Sequence, residues 1–199
     1  MDKTLLVAVL GALVAGFGWV AVHILSSRRE MIARHDAAAR DHLEKQIEQL
    51  YGPLLGLIKH SRLAFEVAAR ILPKDSQGHI EFNRFSARES EIWHFFVEEY
   101  FLPVNARIRD LMGSKMHLFE AGVLPKSFNA FFQHEVQFEA LHRLWRGKGI
   151  DSPGVPSLGW PMEFEGEVNT ILDALRLRHQ LFLRRLGVRE QRHDLSNYN

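Results

Sequence analysis

Two Glu-x-x-His spacings offer the most direct chemistry in this chain: Glu91-Ile92-Trp93-His94 and Glu139-Ala140-Leu141-His142. Residues three apart share a helix face, and carboxylate di-iron bundles use two such pairs plus one glutamate from each of two further helices. Glu66 and Glu120 would be the remaining carboxylates. The apolar pattern speaks against that assembly. Glu91, His94 and Glu98 fall off the stripe formed by Trp93, Phe96 and Tyr100, away from the core where such ligands must meet. Glu135, Glu139, His142 and Arg143 share a polar face, with Glu139 and Arg143 at ion-pair spacing. Glu66 sits between Arg62 and Arg70 on a polar line of its own. The sequence therefore predicts no metal and no cofactor.

His134 and His179 differ in lying on apolar stripes, the first between Phe131 and Phe138, the second between Leu175 and Phe182. A buried imidazole must be satisfied by hydrogen bonds, and its pKa is open to shifting. If their helices pack together, the two rings share a polar pocket, which makes them the candidate ligand-binding residues. The plainer alternative is two separate core histidines bonded to backbone.

Other catalytic templates are missing. The chain has no cysteine, which excludes disulfides, thiolate catalysis and cysteine-ligated metals. Gly147-Lys148-Gly149 is too short for a phosphate loop, and no Gly-x-Ser-x-Gly elbow occurs. A net charge of +1 gives no global pull toward nucleic acid. The arginines at 176, 178, 184, 185, 189 and 192 follow Glu163, Glu165 and Glu167, the acid-first, base-last order that a helix dipole favours. No catalytic residue is identified, and nothing marks the chain as an enzyme.

The elements that must position these residues read as helices. Thr4 to Leu25 is an uncharged run ending before Arg28 and Arg29, long enough at about 1.5 Å per residue to span a hydrocarbon core of about 30 Å. Lys3 precedes it, whereas Arg28, Arg29, Arg34 and Arg40 follow, which places the C-terminal part in the cytoplasm by the positive-inside rule. Gly11 with Ala15, and Ala12 with Gly16, have the small-xxx-small spacing of associating membrane helices.

Beyond it, Leu43, Ile47, Leu50, Leu54 and Leu57 keep a helical stripe in phase across Gly52-Pro53, which predicts a kinked helix there. Residues 54–72 are apolar on most sides apart from the line Lys59, Arg62, Glu66 and Arg70, the pattern of a central helix. Pro73 to Gly78 forms a turn, and Ser86 with Glu89 has capping-box spacing. Phe128, Phe131, Phe138, Leu141 and Trp145 mark one further core face, and Phe164, Val168, Ile171, Leu175, Phe182 and Leu186 mark the last. Residues 147–160 form the longest loop, no period-two alternation predicts sheet, and no internal repeat is evident.

The run Leu50-Tyr51-Gly52-Pro53-Leu54 after a single apolar helix, with Leu124-Pro125 to Phe128 and His134 later, resembles bacterial single-span membrane proteins of unknown function. The resemblance implies a membrane-anchored helical domain and brings no activity or site residue with it.

The expectation is thus an all-α chain: an N-terminal transmembrane helix over 1–25, a juxtamembrane stalk over 26–49, an up-and-down helical bundle over 50–187 and a tail over 188–199. Its expected role is a cytoplasmic interaction or sensory module at the inner (plasma) membrane. The lipid bilayer, and a second copy or another protein, would be its partners, with no nucleic acid. The alternative is a membrane-tethered enzyme or metal-binding protein using buried histidines.

Overall fold

The computed structural model describes the backbone of residues 3–120, 124–149 and 159–196, with side chains except those of 3–10, 12–15, 21, 83, 186 and 188–196. Within these residues the chain is all-α. Six helices follow in order: α1 (Lys3–Lys45), α2 (Gly52–Ile71), α3 (Ala87–Phe96), α4 (Leu102–Ser114), α5 (Lys126–Lys148) and α6 (Glu163–Ser196). A π turn over Gln46–Tyr51 joins α1 to α2, and a second over Val97–Phe101 joins α3 to α4. Among the described residues the pairing of Lys74 with Ile80 is an isolated bridge, and it closes the turn after α2. The chain divides into two compact units, Met1–His42 and Leu43–Asn199.

The expected membrane anchor needs correction. Among the described residues no helix is long and apolar enough to cross a membrane. Helix α1 runs unbroken through Ser26, Ser27, Arg28 and Arg29. The described apolar stretch before them, Gly16 to Leu25, is shorter than the roughly 20 residues that a bilayer requires. The side chains of 1–10, 12–15 and 21, on which the rest of that expectation fell, lie outside the described residues. With the anchor go the single-pass topology, the bilayer as partner and the inner-membrane location. The expected loop over 147–160 also falls largely outside the described residues.

The two π turns explain how proline sits inside continuous helices. A proline in a helix offers no N–H and its ring collides with the carbonyl four residues back. Ahead of Pro53, the Gly52 N–H donates to the Ile47 carbonyl, five residues back, so the turn widens by one residue. Ahead of Pro103, the Leu102 N–H donates to the Val97 carbonyl in the same way. The expected kink is therefore a π turn, and it occurs twice. Tyr51, Pro53, Leu54 and Ile58 match Phe101, Pro103, Val104 and Ile108, each fifty positions later, and apart from the prolines all are buried. This is the internal correspondence that the sequence pattern did not disclose.

Around these turns the core forms two clusters. Leu50, Tyr51, Leu54, Ile58, Ile108 and Met112 pack with Phe128, Phe131, Phe164 and Val168 from α5 and α6. Ala64 and Ala68 of α2, with Leu72 just after it, pack with Trp93, Phe96, Val97, Phe101 and Phe138. The small residues on this side of α2 admit the large rings of α3. Buried Gln46 donates its Nε2 to the Leu118 carbonyl at 2.8 Å, satisfying a backbone acceptor at the end of a 3-10 turn, Met116–Leu118. Ser86 caps α3 through the reciprocal bonds of a capping box with Glu89.

Glycines four residues apart on α2 give opposite expectations. A Cβ at Gly52 would stand 2.7 Å from the Ile47 carbonyl oxygen, whereas one at Gly56 meets nothing within 4 Å. Leu102 occupies the matching place in the second π turn, so this close approach, and not the π turn itself, asks for glycine. Gly52→Ala should destabilise the unit by about 1–3 kcal/mol through overpacking. Gly56→Ala should stabilise it by about 0.5–1 kcal/mol through lower helix entropy cost. Urea unfolding of the two variants checks the pair of signs.

Candidate functional site

The two histidines on apolar stripes have separate surroundings. His134 on α5 is buried, stacked on Phe138 with ring centroids 5.6 Å apart and edge-on to Trp160 at 5.7 Å. His179 on α6 is half-buried and meets the Glu44 carboxylate, Nε2 to Oε1 at 3.1 Å. The carboxylates named for a metal site are likewise dispersed. Glu66 faces Arg62 at 3.9 Å, and Glu120 pairs with Arg178. Among the described residues no group of three or more His, Asp or Glu side chains is placed to hold a metal ion. This removes the alternative of a metal protein built on the core histidines. Tyr51 keeps its hydroxyl proton: burial first, then Glu120 and Glu167, push its pKa up to about 12. Ser127 donates to that same Glu167 at 2.5 Å.

The second members of the two Glu-x-x-His pairs do come together, around a third glutamate. Glu98, in the π turn after α3, receives Arg146 of α5 through Nε and Nη2, both at 2.5 Å, and stands 3.4 Å from His142 Nε2. His94 stacks on Trp145 with centroids 3.8 Å apart, and the Arg146 guanidinium lies over the same indole at 4.9 Å. A two-point guanidinium–carboxylate pair is among the stronger polar contacts. Here it clamps the end of α3 to α5. Sequence pattern placed His94, Glu98 and His142 on polar faces and Trp145 on a core face; the structure brings them together between two helices.

Two turns back along α5 from His142, Glu135 was expected on the polar face and is buried instead. It receives Arg109 of α4 at 2.6 Å, and the same guanidinium reaches Glu139 at 3.4 Å. Burial raises the Glu135 pKa despite the neighbouring cation, so desolvation outweighs the pairing there. Arg109 itself, more exposed, is held up by its hydrogen bond to Asp110 first and by Glu135 further down.

The opposite edge of α3 is where the fold leaves apolar surface open. Helix α2, apolar on most sides, buries Leu54, Ile58, Ser61, Ala64 and Ala68. Leu63, Val67 and Ile71 remain 55%, 48% and 56% exposed, one above the other at four-residue spacing. His60, on the same face, stacks on Tyr100 at 6.5 Å, and Tyr100 meets Phe95 at 5.8 Å. Phe95 is itself 52% exposed. The stripe on α2 and the edge of α3 thus form one continuous apolar strip, of the kind that marks an interaction site on a folded domain. By helical spacing, exposed Lys59 and Arg70 lie on the side of the α2 stripe away from Ala64 and Ala68, and exposed Glu91 and Glu99 lie one turn before and one turn after Phe95. The leucines exposed late in α6 make no comparable strip, because Arg176, Arg178, Arg184 and Arg185 are interleaved with them.

The histidine clamp gives a pH expectation. Burial lowers the pKa of both His94 and His142; Glu98 opposes this, while Arg146 adds to it, as does His142 in the case of His94. A histidine depressed in the fold takes up its proton more readily when unfolded. Its contribution is fully present above the ordinary imidazole value of 6.5 and is lost as pH falls below it toward the folded-state pKa. Thermal melts from about pH 8 down to about pH 5, spanning the imidazole range, should show stability declining, and His94→Gln/His142→Gln should decline less. Equal slopes would show that these imidazoles do not carry the effect.

Comparison with known proteins adds no name to this geometry. No family model, no curated protein and no solved structure matches the chain. The resemblance to single-span membrane proteins carried by Leu50 to Leu54 is accordingly set aside, since no family supports it and those residues build a π turn and a core contact.

Proposed function

We propose that the Leu43–Asn199 unit is a non-catalytic docking domain whose α2–α3 face receives an amphipathic helix. The observation that carries this reading is the strip of Leu63, Val67, Ile71, Tyr100 and Phe95, exposed along α2, α3 and the π turn that follows α3. A helix laid on such a strip offers its own anchors at three- and four-residue spacing and gains roughly 25 cal/mol for each Å² of apolar surface removed from water. The clamp of Glu98 by Arg146 supports the same reading, because it fixes α3 from behind and holds Phe95 in place before any partner arrives. A face already rigid loses little entropy on binding. The reading involves neither a bilayer nor a metal.

A photo-crosslinking phenylalanine analogue at Leu63 or at Phe95, with a control at exposed Val136 on α5, tests it in the full chain. The two strip positions should trap a peptide whose apolar residues recur every three to four positions, and Val67→Glu should abolish the trapping. If Leu63 and Phe95 trap no more than Val136, the face is not a docking site.

A further inference from the structure

We infer that the helix received is α2 of a second copy of this chain, the two copies being related by a two-fold axis that runs along α2 and α3 through the apolar strip. The inference rests on the docking reading above and adds the identity of the partner.

The charges at the two edges carry the argument. Helices α2 and α3 are antiparallel neighbours: His60 is level with Tyr100 at one end, and Ala68 and Leu72 share a cluster with Trp93 and Phe96 toward the other. Lys59 is therefore level with Glu99, and Arg70 with Glu91, across the width of the strip. A two-fold axis along the helices keeps every residue at its level and exchanges the two edges. It lays α2 of one copy over α3 of the other, so Lys59 of each copy meets Glu99 of the other, and Arg70 meets Glu91. At about 1.5 Å per residue the two cations are about 16 Å apart and the two carboxylates about 12 Å, a mismatch within reach of long side chains.

The competing symmetry fails on the same charges. An axis crossing the helices would lay α2 on α2 and bring Lys59 over Arg70, a like-charge contact that costs free energy. Arg62 and Glu66 on α2 and Arg88 on α3 lie near these flanks as well. Glu66 shares Arg62 with Glu165, at 3.9 and 3.4 Å, and Arg88 stands one turn before Glu91. None of them reverses the sign of its edge at the paired levels. The contact is isologous, so it closes at two copies and leaves no apolar strip open.

The test is a charge exchange measured by light scattering and analytical ultracentrifugation on the full chain. Wild type should associate into a species of twice the mass. Lys59→Glu/Arg70→Glu should weaken that association by about tenfold or more through like-charge contacts at both edges. Glu91→Lys/Glu99→Lys should do the same. An equimolar mixture of the two double variants should restore a two-copy species at wild-type strength, because every edge contact is then again between opposite charges. All four positions are exposed, so circular dichroism should remain that of wild type.

A wild type that stays monomeric up to its solubility limit would overturn the inference, as would a mixture no stronger than either variant alone. The two readings fail separately. If the crosslinkers at Leu63 and Phe95 trap a helix from another protein while the chain stays monomeric, the docking face stands and the second copy falls. If they trap nothing, both fall.

Discussion

A proline within a helix leaves one carbonyl without its donor and crowds the turn before it, and this chain meets that constraint twice. Both times the answer is a π turn placed directly ahead of the proline, so that the chain stays helical through Pro53 and through Pro103. The consequence for packing is large. Leu54 and Ile58 on one rod, and Val104 and Ile108 on the other, stand at matching distances past their prolines and are buried in the same cluster. Helices α5 and α6 then close over that pair with Phe128, Phe131, Phe164 and Val168. Had either proline ended its helix, this central layer would have no second half to pack against.

The second π turn also sorts the chemistry around α3. It carries Glu98 toward α5, where Arg146 and His142 meet it, and Tyr100 toward α2, where it stacks with His60. Surface ion pairs are individually worth little, about 1 kcal/mol or less. The two-point contact of Arg146 is better read as a positioning device than as a source of stability. It ties the helix that bears Phe95 to the rest of the unit on one side only, and the other side keeps its apolar surface.

Much of the core was legible because burial leaves a period in the sequence. Phe128, Phe131 and Phe138 on α5, and Phe164, Val168 and Leu175 on α6, are buried as their spacing predicts. The cap formed by Ser86 and Glu89 is a local motif and was equally readable. What stayed hidden depends on neighbours. An apolar pattern all round α2 says that the helix has much to bury, and it cannot say that Leu63, Val67 and Ile71 receive no cover from the same chain. Glu135 looked solvated because its helical neighbours are polar, yet Arg109 arrives from a helix distant in sequence to meet it. The uncharged run from Thr4 to Leu25 suggested a span by composition. The described part of it is a short stretch of a much longer helix, continuous with charged residues. The fifty-residue correspondence leaves little trace in the sequence because it preserves shape and a proline more than residue identity.

A π turn is a helix holding one residue more than an α turn needs, and by absorbing that surplus within one turn it spares the helix downstream a rotation. Each residue turns the helix by about 100°. Forcing Val97–Phe101 into an ordinary α turn with all its residues kept would swing either Glu98 away from Arg146 or Val104 and Ile108 out of the core, whereas the π turn absorbs the extra position and leaves both in place. The extra residue thus acts as a gear tooth between two faces of one rod. It lets a single continuous helix present its polar grip to α5, its aromatic edge to α2 and its aliphatic face to the centre, a combination that an unbroken 3.6-residue repeat does not supply.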